Sequence, residues 1–121
     1  MLSPAPSPTP ASAQDSSVPL LYERILHHLH ETRQRIRVHD LQGKTHHLER
    51  ALAALYELHA RLDFDRGGEI AIRLDALYTY FARELDGIGR SLDVELLERV
   101  TGMIADLAEA WERIWGERVR G

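Results

Sequence analysis

The last proline in this 121-residue chain is Pro19. Proline lacks the backbone donor a helix needs and clashes with the preceding turn, so it ends or kinks a helix that contains it. Residues 20–121 carry no such stop, and they are rich in Leu, Ala, Glu and Arg, which favour helix. Upstream, Pro4, Pro6, Pro8 and Pro10 alternate with Ser, Thr and Ala, leaving almost nothing apolar to bury. A segment of that kind cannot offset the entropy lost on ordering. The expectation is a disordered Pro/Ser-rich tail over residues 1–17 and a single folded domain over residues 18–121.

Within the domain, apolar residues recur at helical spacing in four blocks. The first, at about residues 19–38, has the stripe Leu21, Ile25, Leu29 and Ile36, with Tyr22 and Leu26 beside it and Ser16 or Ser17 as cap. The second, at about 41–62, has Leu48, Ala51, Leu52, Leu55, Leu58 and Leu62, with Asp40 as cap. The third, at about 68–88, has Ile70, Leu74, Leu77, Phe81, Leu85 and Ile88, with Tyr78 alongside. The fourth, at about 93–115, has Leu97, Val100, Ile104, Leu107, Trp111 and Ile114, and Gly116 is expected to end it. Gly67 and Gly68 mark the sharpest break, while Gly87 and Gly89 separate the last two blocks. Long helices with short connections pack as antiparallel neighbours, so the predicted fold is all-α: an up-down-up-down four-helix bundle.

Several functional classes find no support in the residues. A net charge of −4, with acidic residues mixed among arginines, is not the footprint of a nucleic-acid binder. No apolar run approaches the ~20 residues that span a bilayer, and the N-terminus lacks a basic start and apolar block. A soluble cytoplasmic protein with no membrane partner is expected. There is no cysteine, hence no disulfide or thiolate site. His27 and His30 share a helix face, and His46 and His47 are adjacent, but no Glu-x-x-His or His-Glu-x-x-His occurs, so no metal or cofactor is expected. No phosphate loop or nucleophile context is present, and nothing argues for an enzyme.

The core stripes leave apolar residues over. Ala53, Tyr56 and Ala60 form a second row on the second helix, Ile72, Ala76 and Tyr80 on the third, and Leu96, Met103 and Ala110 on the fourth. Such rows either widen the packing between helices or form a groove for another amphipathic helix.

Read in order, Leu21-Tyr22-Glu23-Arg24-Ile25-Leu26, Asp40-Leu41-Gln42-Gly43-Lys44, Leu62-Asp63-Phe64-Asp65-Arg66-Gly67-Gly68-Glu69-Ile70-Ala71, Leu74-Asp75-Ala76-Leu77-Tyr78-Thr79-Tyr80, Leu97-Glu98-Arg99-Val100 and Ala110-Trp111 resemble the flagellin-specific export chaperone family (FliS). The likeness covers about residues 20–114. It departs ahead of the Leu-Tyr pair, where the family usually has a longer first helix. The resemblance implies an antiparallel helical bundle that binds the C-terminal helical segment of flagellin in the cytosol, blocks premature polymerisation and presents its client to the flagellar export gate. The expected partner-binding residues are Tyr56, Ile72, Ala76 and Tyr80, helped by Leu21 and Tyr22, on a monomer or weak homodimer. The alternative is a self-associating structural or regulatory bundle with a different client, whose second rows form its dimer interface.

Overall fold

The computed structural model describes residues 17–120, with side chains through residue 113, so residues 1–16 of the expected tail and the side chains of Ile114 and Trp115 lie outside the described residues. Four helices follow in order: α1 (Ser17–Arg37), α2 (Leu41–Ala60), α3 (Phe64–Ser91) and α4 (Val94–Arg120). Short connections return the chain on itself each time. α1 packs on α2 and α4, α3 packs on the same two, and α1 and α3 sit on one diagonal. This is the expected up-down-up-down four-helix bundle.

The joints explain why the helices start where they do. The Asp40 carboxylate accepts from the backbone N–H of Gly43 at 2.9 Å and caps α2. A Cβ on Gly43 would collide with that carboxylate, so glycine is what lets the cap reach. Lys44 then donates through Nζ to the Gly89 carbonyl at 2.9 Å, tying the start of α2 to the end of α3. Asp93 accepts from the Leu96 N–H at 3.0 Å and opens α4.

Three boundaries differ from expectation. α1 already includes Ser17, which was expected to cap it or belong to the tail. α3 begins at Phe64 and not at Gly68, because Asp63 accepts from the backbone N–H groups of Asp65 and Arg66 and starts a turn ahead of the glycines. Gly68 then breaks the helical path at φ 53° and ψ −126°, a conformation that costs a residue with a Cβ dearly. α4 continues through Gly116 to Arg120, since one glycine costs a helix only about 1 kcal/mol and helix formers follow it.

The core takes residues from all four helices: Leu21, Ile25 and Leu29 of α1, Leu48, Ala51, Leu55 and Leu58 of α2, Phe81, Leu85 and Ile88 of α3, and Leu97, Val100 and Ile104 of α4. Ile36, Leu52, Leu62, Leu74, Leu77, Leu107 and Trp111 are partly buried at its edges. Ile70 is the one stripe residue of α3 left in solvent, 69% exposed, and Ala71 is buried in its stead. Ile70 lies two residues after the Gly68 kink, near the start of α3.

Candidate docking surface

The six residues expected to meet a partner divide into two groups. Leu21 and Tyr22 are 2% and 3% exposed and belong to the core. Tyr22 crosses the bundle diagonal to Tyr78 of α3, hydroxyl to hydroxyl at 2.7 Å, fully enclosed. Both are thus mainly core residues, although Tyr22 also contributes to the lining of the groove between α1 and α4. Tyr56, Ile72, Ala76 and Tyr80 are exposed.

The geometry joins the α2 and α3 rows. His59 of α2 and Asp75 of α3 meet at 2.6 Å, Nε2 to Oδ1. Tyr56 stands three residues before His59 and Ile72 three before Asp75, which puts each beside the bond on its own helix face. Ala76 follows Asp75 and leaves room for a close backbone. Phe64, at the start of α3, was not singled out as a docking residue in the sequence, and Ile70 was expected in the core stripe of that helix. They are 50% and 69% exposed. Of the ten large hydrophobic residues exposed among those described, six lie on α2 or α3: Leu41 at the start of α2, and Tyr56, Phe64, Ile70, Ile72 and Tyr80. Next to it a small cleft of about 70 Å³ opens between Leu58, Leu62, Ile70, Ala71, Leu74 and Trp111. The expected α4 row contributes less: Met103 is exposed, whereas Leu96 and Ala110 are half-covered.

The histidines are less independent than their spacing suggests. His28 Nδ1 and His47 Nδ1 share a hydrogen bond at 3.0 Å between α1 and α2, with His27 and His46 stacked at their edges. Burial, and then the neighbouring His27, His47, Arg50 and His46, hold His28 below the ordinary histidine range. Burial and then His46 do the same for His47, with smaller contributions from His27 and Arg35 and against the pull of Glu31. Among the described residues no group of three or more His, Asp or Glu side chains is placed to hold a metal ion, and no helix is long and apolar enough to cross a membrane.

A bundle with these capped joints and an uncovered α2–α3 side matches a known family. The model for flagellar protein FliS matches residues 10–118. This chain belongs to the FliS family. The flagellar secretion chaperone FliS of Salmonella typhimurium is 37% identical over 76 residues, covering 62% of this chain and 56% of the relative. The namesake of Campylobacter jejuni is 29% identical over 97 residues, 80% of this chain and 76% of its own. The flagellar secretion chaperone FliSB of Pseudomonas aeruginosa is also 29% identical over 97 residues, covering 77% of its length. The chain thus spans a little over half of the Salmonella relative and about three quarters of the other two. The FliS-like segments noted in the sequence have structural work in this fold: residues 40–44 build the α2–α3 joint, and residues 62–71 build the cap and kink that start α3.

Proposed function

We propose that this chain is a flagellar secretion chaperone whose client is flagellin, bound through its C-terminal helical segment in the cytoplasm, which keeps the client from polymerising before it reaches the export gate. The family and the names of its relatives support this class of activity. The observation that supports a docking role is the exposed row Tyr56, Ile72, Ala76 and Tyr80 beside the His59–Asp75 bond. Tyrosines there supply area with a polar tip, and the alanine lets a client backbone come close. Leu21 and Tyr22 serve this site indirectly, by fixing the bundle on which the row is carried.

Ile72 is the probe of choice, because it is 61% exposed and outside the core. Ile72→Asp is expected to leave the helical signal and unfolding midpoint intact and to weaken binding of a flagellin C-terminal peptide tenfold or more, since a charge must then be desolvated against an apolar partner. Titration calorimetry of both proteins against that peptide decides it. Equal binding by mutant and wild type would move the site elsewhere on the bundle. Binding by neither would remove flagellin as the client.

A further inference from the structure

On the opposite side of the bundle, α1 and α4 leave a groove of about 570 Å³ between them. That volume is in the range of sites that take a ligand or a peptide segment. Its floor and walls are apolar or small: Pro19, Leu20, Leu26, Ala105 and Ala108. Leu20 is 57% exposed, an uncovered leucine at the groove mouth. At the far end the ion pair of Arg33 with Glu98, at 2.7 Å and joined by Arg37 at 3.8 Å, closes the α1–α4 seam.

The remaining lining residues are Tyr22, whose hydroxyl is turned to Tyr78 in the core, and three carboxylates: Glu23 of α1 and Glu109 and Glu112 of α4. No Lys or Arg lines the groove. Among the described residues these three carboxylates form no ion pair, whereas Glu31, Glu57, Glu69 and Glu98 each hold an arginine. A groove with an apolar floor, alanines that admit a close backbone, and an unneutralised acidic rim is complementary to one kind of occupant.

We infer that the α1–α4 groove is a second docking site, which receives about two turns of an amphipathic helix from another protein, flanked by Lys or Arg. Length sets the two turns: the lining runs from residue 19 to 26 on α1 and from 105 to 112 on α4, roughly 10 Å of helix. Charge selects the source. Residues 1–16 contain no Lys or Arg and bring only Asp15, so the chain's own beginning does not complement the rim. A second copy would bring a net charge of −4 to an acidic surface. A foreign basic segment gains at the apolar floor and at the rim together. This site is separate from the α2–α3 row and does not depend on its client.

The test uses the full chain and two synthetic helical peptides of about 14 residues with the same Leu/Ala stripe, one flanked by Lys and the other by Glu. The Lys peptide is expected to bind and to move the backbone NMR signals of Leu26, Ala105 and Ala108. The Glu peptide is expected to bind at least tenfold more weakly. The triple variant Glu23→Gln, Glu109→Gln, Glu112→Gln keeps the shape of the rim and should lose at least tenfold of the Lys-peptide affinity, with a shallower salt dependence. Ala108→Leu, checked for helical signal, should block the groove by bulk alone. Ile72→Asp should leave the Lys peptide unaffected, which keeps this result apart from the flagellin test. Equal binding of the two peptides, or undiminished binding by the triple variant, would overturn the inference. So would concentration-dependent shifts at Ala105 and Ala108 in the absence of peptide, which would make a second copy the occupant. A spin label at Leu2→Cys, unambiguous because the described residues hold no cysteine and the sequence has none, must not broaden those same signals; broadening would seat the chain's own beginning there instead.

Discussion

Removing one hydroxyl from the Tyr22–Tyr78 pair should cost more than removing both. The two oxygens lie 2.7 Å apart and the residues are 3% and 2% exposed. Tyr22→Phe leaves the Tyr78 hydroxyl enclosed with its partner gone, and Tyr78→Phe does the reverse. An unsatisfied buried polar group costs about 1–3 kcal/mol, whereas replacing both partners by apolar groups of the same shape is nearly neutral. Each single variant should therefore lower stability by about 1–3 kcal/mol, which for a domain of roughly 100 residues moves Tm by about 4 °C or more. The double variant should fall well short of the sum, giving a coupling energy on the order of 1–3 kcal/mol. Urea unfolding followed by circular dichroism measures all four corners of the cycle. Additive costs would refute the reasoning, because they would mean that the hydroxyls find other partners or water. The pair has an alkaline signature as well. Burial raises both phenol pKa values above the usual 10.0. Above that pH the unfolded chain ionises first, so stability is full below about pH 10 and falls as pH rises beyond it, and the double variant should lose that dependence. Binding adds a control: if Tyr22 serves the core, the double variant binds a flagellin peptide as the wild type does.

Two further outcomes follow from the joints and the histidines. His28 and His47 are held below the ordinary histidine value of 6.5, chiefly by burial, so the unfolded chain takes up protons first as pH falls. Stability is then full above that value and declines below it, and His47→Gln should flatten the decline between about pH 7.5 and about pH 5.5; parallel urea midpoints for the two proteins would count against this. Gly68→Ala should destabilise by about 1–3 kcal/mol, because φ 53° with ψ −126° is a conformation essentially reserved for glycine; a neutral result by thermal melt would mean that the kink relaxes into helix.

The four helices were legible because their burial is periodic. Leu48, Leu55 and Leu58, or Leu97, Val100 and Ile104, recur on one face, and that face is the core. The cap Asp40 was legible for a related reason, since a cap acts within three residues of itself. What escaped depends on contacts between helices. Ser17, the early start of α3 and the exposure of Ile70 all sit at helix ends, where a periodic pattern has too few repeats to fix a phase. The His28–His47 bond requires a particular register of α1 against α2, between partners 19 positions apart in the chain. No spacing rule along one helix contains that information.

The docking rows illustrate the same limit from the other side. Tyr56, Ile72, Ala76 and Tyr80 were chosen for lying off the core stripes, and a residue off the stripe of a four-helix bundle faces water or a seam. That logic left the four exposed. Leu21 and Tyr22 were attached to them on weaker grounds, since they lie on or beside the α1 stripe itself. α1 is covered on two sides by α2 and α4 and reaches α3 across the diagonal through Tyr22, so its buried face is broad and includes both residues. The α1–α4 groove was invisible for a further reason. Leu20, Tyr22, Glu23, Leu26, Ala105, Ala108, Glu109 and Glu112 form no stripe of one character in the sequence; they become a site only where α1 and α4 face each other beyond the Arg33–Glu98 ion pair. A bundle held this way has two uncovered seams of different chemistry on opposite sides, one apolar with tyrosines and one acid-rimmed. If both bind, a single small bundle can hold a client on one seam and engage a basic partner on the other without the two competing for the same residues.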